Sequence, residues 1–465
     1  MSIKYFVLSP EYGFRGWKLL PYAVQNLYSA QTEFFDKHVW ELISKCDGNT
    51  QVDTDKLSSE DYNRYLLWSR GGLIIECDKG TELYPEQEYR FYHSRFKQNV
   101  HWSITGKCNY RCKHCFMSAP QGVQGEPSWD QLMTMLDAFE RCGIKEVTLT
   151  GGEPLIRKDF WQLVDAILDR KMVIGMIFTN GHLVNDIFFE ELDKREINPS
   201  MQFSFDGVGY HDWLRGIPGA EDRVYEAWKG CRERDHRVFA AMTLFKDNRD
   251  SIRDTVLTLS SMGVESLKIC NAYPQGEWLN YKDHYLTHAE VYETFLEYIP
   301  HFIEDGKPMT LNLEGFFNYD KSKDRIFTFS DKWAPEEEFG RVLMCGHVRR
   351  DIYVSPLGSV LPCMSMVGTP IEDKFPNMLT VPLEDILGNS SLYMDIVNLK
   401  VSDFMEHNPE CSVCEYKNMC CGGCRAIALQ KYPDDYLAPD PVLCEYFKGG
   451  WRDRRDSLLA CLQVH

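Results

Sequence analysis

The sequence predicts an α/β protein whose central part is a partial (β/α)6, TIM-like barrel. Two observations predict it: 465 residues exceed one ordinary core, and short strands alternate with amphipathic helices between residues 97 and 275. Such alternation favours parallel strands joined by right-handed crossovers, with the chemistry at the C-terminal strand ends. The predicted strands are 100–105, 146–150, 173–178, 201–205, 238–244 and 266–270, and the predicted helices are 128–142, 159–170, 184–195, 222–235 and 249–262.

The first strand and helix of this region show the local signals. Residues 100–105 alternate and are rich in β-branched side chains, which is typical of a strand. Ser128 is a residue type that caps a helix N-terminus, and Gly143 follows the end of the same helix. The barrel is assigned residues 96–275.

Residues 1–95 are predicted to form a separate small module. Helices are expected near 33–46 and over 59–69, and Gly71 and Gly72 end the second before a strand at 73–77. Helices followed by a short hairpin are typical of a winged-helix-like module. A plain N-terminal cap on the barrel is the alternative.

Two regions follow the barrel. Residues 276–344 are a bridging region with a helix near 287–303. The segment 345–465 is predicted to contain short strands and many turns. It has too little apolar periodicity to fold well on its core alone, so bound metal is expected to stabilise it. Its tail, 446–465, is predicted to be one helix.

Composition excludes several classes of function. Against 51 Lys and Arg stand 69 Asp and Glu, and this net charge of −18 argues against nucleic acid as the main partner. No apolar run of about 18 residues predicts a membrane span, and the N-terminus lacks a signal-peptide pattern. A cytoplasmic location is therefore expected, where the 17 cysteines indicate metal binding rather than disulfides.

Three cysteines at a strand end are the first candidate site. Cys108, Cys112 and Cys115 lie on the loop that leaves the first barrel strand. Three thiolates on a four-iron cluster leave one iron without a protein ligand, and a small chelating cofactor can bind there. A zinc site is the alternative, but it would want a fourth close ligand, for which His114 is wrongly spaced.

A glycine-rich turn follows the second strand. Gly151 and Gly152 allow the backbone to approach a ligand closely, and Pro154 closes the motif. Glu153 offers an acceptor for the ammonium group of a ligand. Gly-Gly turns are common, and this motif alone would say little. It is informative because it lies one strand after the three cysteines.

Together the two motifs resemble those of the radical S-adenosylmethionine (SAM) enzymes. Cys108, Cys112 and Cys115 match that family's cluster motif, residues 151–154 match its glycine-rich motif, and Phe116 matches the aromatic residue near the adenine. The resemblance implies that SAM chelates the unique iron of a [4Fe–4S] cluster. One electron from the cluster then cleaves SAM to a 5′-deoxyadenosyl radical.

Other polar residues at strand ends are assigned by the same resemblance. Relatives use the end of the fourth strand for the ribose and the carboxylate of SAM, which implicates Ser204, Asp206 and Arg215. Asn180 closes the third strand in the same way. For each, a polar residue that simply ends a strand is the alternative. Cys270, at the end of the sixth strand, is either a structural cysteine or a thiol that donates a hydrogen atom.

Seven C-terminal cysteines resemble the SPASM domain of peptide-modifying radical SAM enzymes. This resemblance implies two auxiliary [4Fe–4S] clusters, and so three clusters in all. The first set is Cys345, Cys363 and Cys424, and the second is Cys411, Cys414, Cys420 and Cys444. Some relatives have a further cysteine between the first two positions, but residues 346–362 contain none. The first auxiliary cluster then has an open iron, or a ligand such as Cys421. A zinc ribbon is the alternative.

The resemblance implies an oxidoreductase that matures a precursor peptide by forming a thioether or carbon–carbon cross-link. The alternatives are epimerisation with Cys270 as hydrogen donor, formylglycine formation, and a non-catalytic electron carrier, which would not need residues 151–154. In size and order, residues 1–95 resemble the winged-helix element with which many such maturases bind a leader peptide. A flavodoxin- or ferredoxin-type electron donor is the expected partner, with no membrane contact.

Overall fold

The computed structural model describes residues 3–328, 333–389 and 391–462. Its centre is an eleven-stranded sheet that contains all six predicted barrel strands, so the α/β prediction is confirmed. In spatial order its strands are Arg325–Phe327, Phe317–Asp320, Thr310–Leu313, Ser266–Asn271, Val238–Leu244, Ser200–Ser204, Val173–Thr179, Glu146–Thr150, Asn99–Ser103, Asp351–Val354 and Val360–Leu361. Among the described residues the two outermost strands do not pair with each other, so the barrel is partial.

The parallel part of the sheet is wider than predicted. Thr310–Leu313, from the bridging region, pairs in parallel with Ser266–Asn271 and extends one side. Asp351–Val354, from the C-terminal region, pairs in parallel with Asn99–Ser103 on the other side. The strand that leads to the Cys108 loop is therefore an inner strand, held between two neighbours.

Helices cover the outer face of the sheet and share one apolar core with it. The five predicted barrel helices are present as Trp129–Arg141, Phe160–Asp169, Asp186–Asp193, Ala220–Glu233 and Ile252–Ser261, and His288–Glu304 follows them. The hydroxyl of Ser128 accepts a hydrogen bond from the Gln131 N–H at 3.2 Å, within a capping box. At the other end, Gly143 has a φ of 69°, as a helix-ending glycine requires.

The N-terminal module contains more strand than the sequence predicts. One sheet consists of Val52–Asp53, Ile3–Leu8 and Ile74–Cys77, and another of Thr32–Phe34, Leu20–Asn26, Tyr12–Trp17 and Arg90–Tyr92. Its two helices are Lys37–Ile43 and Ser59–Arg70. The predicted helix at 33–46 is shorter because residues 32–34 pair as an edge strand and Asp36 caps the helix. The module has its own apolar core.

The C-terminal region consists mainly of short helices rather than short strands. They are His347–Arg350, Leu383–Ile386, Leu392–Asn398, Val401–His407, Pro409–Ser412, Lys417–Cys420, Arg425–Lys431, Pro441–Lys448 and Trp451–Cys461. The prediction of one tail helix over 446–465 is wrong, because Gly449 and Gly450 separate the last two helices and Gly450 has a φ of 71°. Residues 463–465 of that prediction lie outside the described residues. None of the described helices is long and apolar enough to cross a membrane.

Candidate functional site

One cavity of about 670 Å³ lies at the C-terminal ends of the parallel strands. Eleven residues predicted as site residues line it: Cys108, Cys112, Cys115, Phe116, Gly151, Gly152, Asn180, Ser204, Arg215, Cys270 and Cys424. Cys424, Met364 and Val367 of the C-terminal region line the same cavity. Its volume is in the range of small-molecule and cofactor sites. The two cysteine-rich parts of the chain therefore face one shared space.

The loop that carries Cys108, Cys112 and Cys115 is held by the segment after the fourth strand. The Lys113 N–H donates to the Leu214 carbonyl at 2.8 Å, and the Arg111 N–H donates to the Arg215 carbonyl at 3.2 Å. The Lys113 ammonium also lies 4.9 Å from the ring centre of Trp213, within cation–π range. The position of the thiols therefore depends on a strand end far along the chain.

Polar hydrogens surround the three sulfur atoms. The Tyr110 N–H lies 3.4 Å from Cys108 Sγ, the Ala119 N–H 3.3 Å from Cys115 Sγ, and Arg215 Nη1 3.7 Å from Cys112 Sγ. Such donors stabilise metal-bound thiolates and tune the potential of an iron–sulfur cluster. Burial raises the pKa of the free Cys108 thiol to about 12 and that of Cys112 to about 11, whereas bound metal would deprotonate both.

The arrangement of donors distinguishes a cluster from a single zinc ion. Across residues 3–328, 333–389 and 391–462, no three His, Cys, Asp or Glu side chains converge as ligands of one metal ion. A zinc ion needs its ligands at close range around one point, whereas a four-iron cluster takes each thiolate on a different iron. The thiols present fit the cluster better than zinc.

Gly151 and Gly152 pack against the backbone of the cysteine loop. The Gly152 N–H donates to the Thr105 carbonyl at 2.8 Å, and the next N–H, of Glu153, donates to the Lys107 carbonyl at 2.9 Å. A Cβ on Gly152 would lie 2.6 Å from the Lys107 carbonyl carbon, closer than real Cβ contacts come. The glycines are therefore required by the protein itself as well as by any ligand in the cavity.

Glu153 and Pro154 are buried and are not among the residues that line the cavity, and their predicted contact with a ligand stays a prediction. The Glu153 carboxylate accepts hydrogen bonds from the Thr179 hydroxyl at 3.0 Å and from the N–H groups of Asn180 and Leu155 at 2.8 and 3.2 Å. Burial raises its pKa to about 7. These hydrogen bonds connect the glycine turn to the end of the third strand, because Thr179 and Asn180 lie at that end.

Ser204 and Arg215 face the cavity, whereas Asp206 lies behind them. The Asp206 carboxylate accepts a hydrogen bond from Arg215 Nε at 2.6 Å and one from the Thr243 N–H at 3.0 Å. Burial alone would raise the pKa of Asp206, but the Arg215 guanidinium and His211 hold it well below its usual range. Asp206 therefore positions Arg215, and its predicted contact with the ribose stays a prediction.

Three further residues of the cavity wall were missed by the sequence analysis. Lys268 lies two residues before Cys270 on the same face of the sixth strand, and Tyr273 donates a hydrogen bond to Glu314 at 3.2 Å. Burial raises the pKa of the Cys270 thiol to about 11. The sequence does contain a signal for Lys268, because residues i and i+2 of a strand share a face and Lys268 is two residues before Cys270.

The C-terminal cysteines form two groups in space. Cys363 lies within electrostatic range of Cys345 and Cys424. Cys411, Cys414, Cys420 and Cys444 interact in the same way with one another. The groups have the same members as the two predicted ligand sets, and the two auxiliary clusters stay a prediction. Cys421 is buried in an apolar cluster that also contacts Cys411, and its thiol donates to the Asn418 carbonyl at 3.5 Å.

Residues 275–277 connect the cysteine loop to the C-terminal region. The Glu277 N–H donates to the Cys115 carbonyl at 3.0 Å, and Gln275 Nε2 donates to the Val367 carbonyl at 2.6 Å. A Cβ on Gly276 would meet the backbone of Cys115 and Phe116. Residues 275–277 therefore pack closely against both the cysteine loop and the C-terminal region.

Comparison with known proteins finds a matching family model and several relatives. Residues 102–259 match the model of the Radical SAM superfamily. AdoMet-dependent heme synthase of Nitratidesulfovibrio vulgaris is 26% identical over 75% of this chain and 92% of its own length. PqqA peptide cyclase of Granulibacter bethesdensis is 25% identical over 70% of this chain and 82% of its own length.

Among solved structures, Streptococcus suis SuiB bound to its precursor peptide SuiA is similar along almost the entire chain. The match covers 94% of this chain and 99% of SuiB with a TM-score of 0.64 and 17% sequence identity. At this identity the likeness concerns the fold. It extends beyond the 75% of the chain that the heme synthase covers.

Proposed function

We propose, from the match of residues 102–259 to the Radical SAM superfamily, that the chain is a peptide maturase that forms a thioether or carbon–carbon cross-link in a precursor peptide. The observation that carries the proposal is the shared cavity, lined by the Cys108 loop and by Cys424 with its neighbours. A peptide side chain held there reaches both cysteine-rich regions. The similarity to PqqA peptide cyclase and to the fold of SuiB supports a peptide substrate.

We assign the cofactors to residues already described. Cys108, Cys112 and Cys115 hold the radical SAM cluster, and Asn180, Ser204, Arg215 and Phe116 contact SAM. Cys345, Cys363 and Cys424 hold one auxiliary cluster, and Cys411, Cys414, Cys420 and Cys444 hold the other. When bound, the radical SAM cluster and SAM together supply a 5′-deoxyadenosyl radical, which removes a hydrogen atom from the substrate.

The chain's own residues orient the reactants and protect them. Arg215, fixed by Asp206, presents a guanidinium to Cys112 and to the cavity. Residues 275–277 close the space between the cysteine loop and Val367. A radical that reacts with any nearby C–H bond needs a substrate held in one orientation and shielded from other groups.

We also propose that residues 1–95 bind the leader of the peptide, residues 96–275 generate the radical, and residues 345–465 bind the auxiliary clusters, with 276–344 as the bridge. Ile74–Cys77 lies at the edge of its sheet, and Ile75 is 46% exposed. An exposed edge strand can accept a peptide as an added strand.

The electron donor we propose is a cytoplasmic flavodoxin or ferredoxin. The exposed Arg111 lies on the cysteine loop, beside Lys107, whose ammonium is paired with Glu126, although the whole chain has a net charge of −18. A basic surface next to the cluster suits an acidic electron carrier.

A second candidate function, peptide epimerisation, is favoured by the position of Cys270. Its thiol lines the cavity and is protonated at neutral pH, because burial raises its pKa to about 11. An S–H group there can return a hydrogen atom to a substrate radical. Cys270→Ala would abolish an epimerase but leave cross-linking intact.

The proposal is tested with anaerobically reconstituted enzyme and the peptide encoded beside its gene. We expect about twelve iron atoms per chain, as three four-iron clusters require. Reduced enzyme should release 5′-deoxyadenosine from SAM and yield a peptide lighter by two hydrogens. Epimerisation would leave the mass unchanged in water and add one deuterium in D2O.

Matched cysteine variants control this experiment. Cys112→Ala should abolish 5′-deoxyadenosine release. Cys231→Ala, which removes a buried thiol from the helix Ala220–Glu233, should keep it. No release by the wild-type enzyme would contradict the radical mechanism. Because one relative is named a heme synthase, consumption of a tetrapyrrole in place of the peptide would contradict the peptide substrate.

A further inference from the structure

Glu314 has a backbone conformation that non-glycine residues seldom adopt. It follows the strand Thr310–Leu313, and its φ of 46° lies in the left-handed region. Gly315, the next residue, also has a positive φ, of 81°. Both residues lie in the tight turn between Thr310–Leu313 and Phe317–Asp320, and such turns use positive φ values. The turn places the Glu314 side chain at the end of the strand Thr310–Leu313.

The Glu314 side chain lines the cavity and is its only carboxylate among the described residues. One of its oxygens accepts a hydrogen bond from the Asn271 N–H at 3.1 Å, and the other accepts one from the Tyr273 hydroxyl at 3.2 Å. Each carboxylate oxygen retains capacity for another partner, since it has two acceptor sites. The group is therefore held in place but remains able to receive a proton.

A second polar group beside Glu314 also awaits a partner. Asn271 is buried and lines the cavity, and within the described part of the chain its Oδ1 atom has no hydrogen-bond partner. Buried acceptors are normally satisfied, so this atom indicates a polar ligand at this part of the wall. Asn271 and Glu314 together form a polar end of the cavity.

We propose that Glu314 accepts the proton that leaves the peptide when its new bond forms. This inference rests on the proposed cross-linking function. Joining two groups of the peptide removes two hydrogens. One leaves as a hydrogen atom and forms the C–H bond of 5′-deoxyadenosine. The other leaves as a proton to the Glu314 carboxylate, while its electron passes to a one-electron acceptor of the iron–sulfur class.

The other ionisable groups around Glu314 are poorly suited to accept this proton. The groups that face it are Lys268, Cys270, Tyr273 and Tyr292. Interactions with Cys270 and with the Glu314 carboxylate raise the pKa of Lys268, which therefore stays protonated, and burial raises the pKa of the thiol and of both tyrosines. Burial also raises the pKa of Glu314, which makes its carboxylate a better base.

The test compares Glu314→Gln with the wild-type enzyme on the peptide encoded beside its gene. Gln keeps the shape and one acceptor oxygen but cannot take up the proton. We expect 5′-deoxyadenosine release to stay within about twofold of wild type and cross-linked peptide to fall by at least about 100-fold, as for loss of a general base. Glu146→Gln is the matched control, because burial also raises the pKa of Glu146 but it lies at the other end of its strand. That variant should retain both activities.

The pH profile separates a proton acceptor from a merely structural carboxylate. The Tyr273 hydroxyl lowers the pKa of Glu314, so Tyr273→Phe should raise it. Because the base must be deprotonated, the acidic limb of the cross-linking rate should shift to higher pH in this variant.

Three results would overturn the inference. Cross-linking by Glu314→Gln at the wild-type rate excludes the residue as base, and loss of 5′-deoxyadenosine release by this variant indicates a structural role. An acidic limb that does not move in Tyr273→Phe also contradicts it. A wild-type enzyme that cleaves SAM but leaves the peptide unchanged would instead refute the peptide-maturase function, whatever the variants do.

Discussion

Gly152→Ala tests whether the glycine turn sets the position of the cysteine loop. A Cβ at residue 152 would lie 2.6 Å from the Lys107 carbonyl carbon and 3.1 Å from Cys108 Cβ, whereas real Cβ contacts stay beyond 3.0 Å. The φ of Gly152 is not positive, so alanine adds no backbone strain and the contact alone acts. The Lys107 carbonyl carbon must retreat by at least 0.4 Å and its oxygen, the nearest atom to the added Cβ, by more, and Cys108 moves with them.

The expected cost of Gly152→Ala has two parts. Overpacking of this kind lowers the free energy of unfolding by about 1–3 kcal/mol. Because misplacing a reacting group by about 1 Å costs about 100-fold in rate, we expect 5′-deoxyadenosine release to fall by about 10- to 100-fold. Urea unfolding of the metal-free protein measures the first part, and single-turnover release of 5′-deoxyadenosine by iron-loaded enzyme measures the second.

Gly340→Ala is the control for this experiment. A Cβ there would meet nothing within 4 Å, so the same substitution should change neither quantity. If Gly152→Ala behaves like Gly340→Ala, the turn does not position the loop and the reasoning is refuted.

Two further predictions concern the carboxylates behind the cavity wall. Asp206→Asn should lower the free energy of unfolding by about 3–5 kcal/mol, because it leaves Arg215 buried without its partner. Since the pKa of Asp206 is depressed, this loss should stay constant between about pH 5 and pH 8. Urea titrations in which the difference between variant and wild type vanishes in that window would contradict the prediction. Burial raises the pKa of Glu153 to about 7, above its ordinary value of about 4.3, so its contribution to stability is present at low pH and is lost as the pH rises through about 7. The free energy of unfolding should therefore fall more steeply for wild type than for Glu153→Gln from about pH 5 to pH 8, and parallel curves would exclude this titration.

The barrel could be predicted from sequence because its strands and helices carry strong local signals. Ile74–Cys77 was predicted in the N-terminal module, but most of its strands could not be; Tyr12–Trp17, for example, contains two glycines and the buried Arg15 instead of an apolar alternation. Thr310–Leu313 has four residues, too few for a periodic pattern. Both elements are stabilised by pairing with distant strands, which a local pattern does not contain.

The candidate site could be predicted at the level of residue identity but not of side-chain direction. The cysteines and glycines were found by spacing, which local geometry fixes. Glu153 and Asp206 turn away from the cavity because Asn180 and Arg215 supply strong donors on the other side. Glu314 escaped notice because its strained φ and its place in the wall exist only in the folded chain.

The contacts of residues 275–277 affect how chimeras of this chain and a related enzyme can be built. It lies against Cys115 on one side and Val367 on the other, with hydrogen bonds to both carbonyl groups. A chimera that takes its C-terminal region from a related enzyme would bring a new surface to this segment while keeping the old cysteine loop. Residues 275–277 should therefore be exchanged together with the C-terminal region and the cysteine loop that they contact.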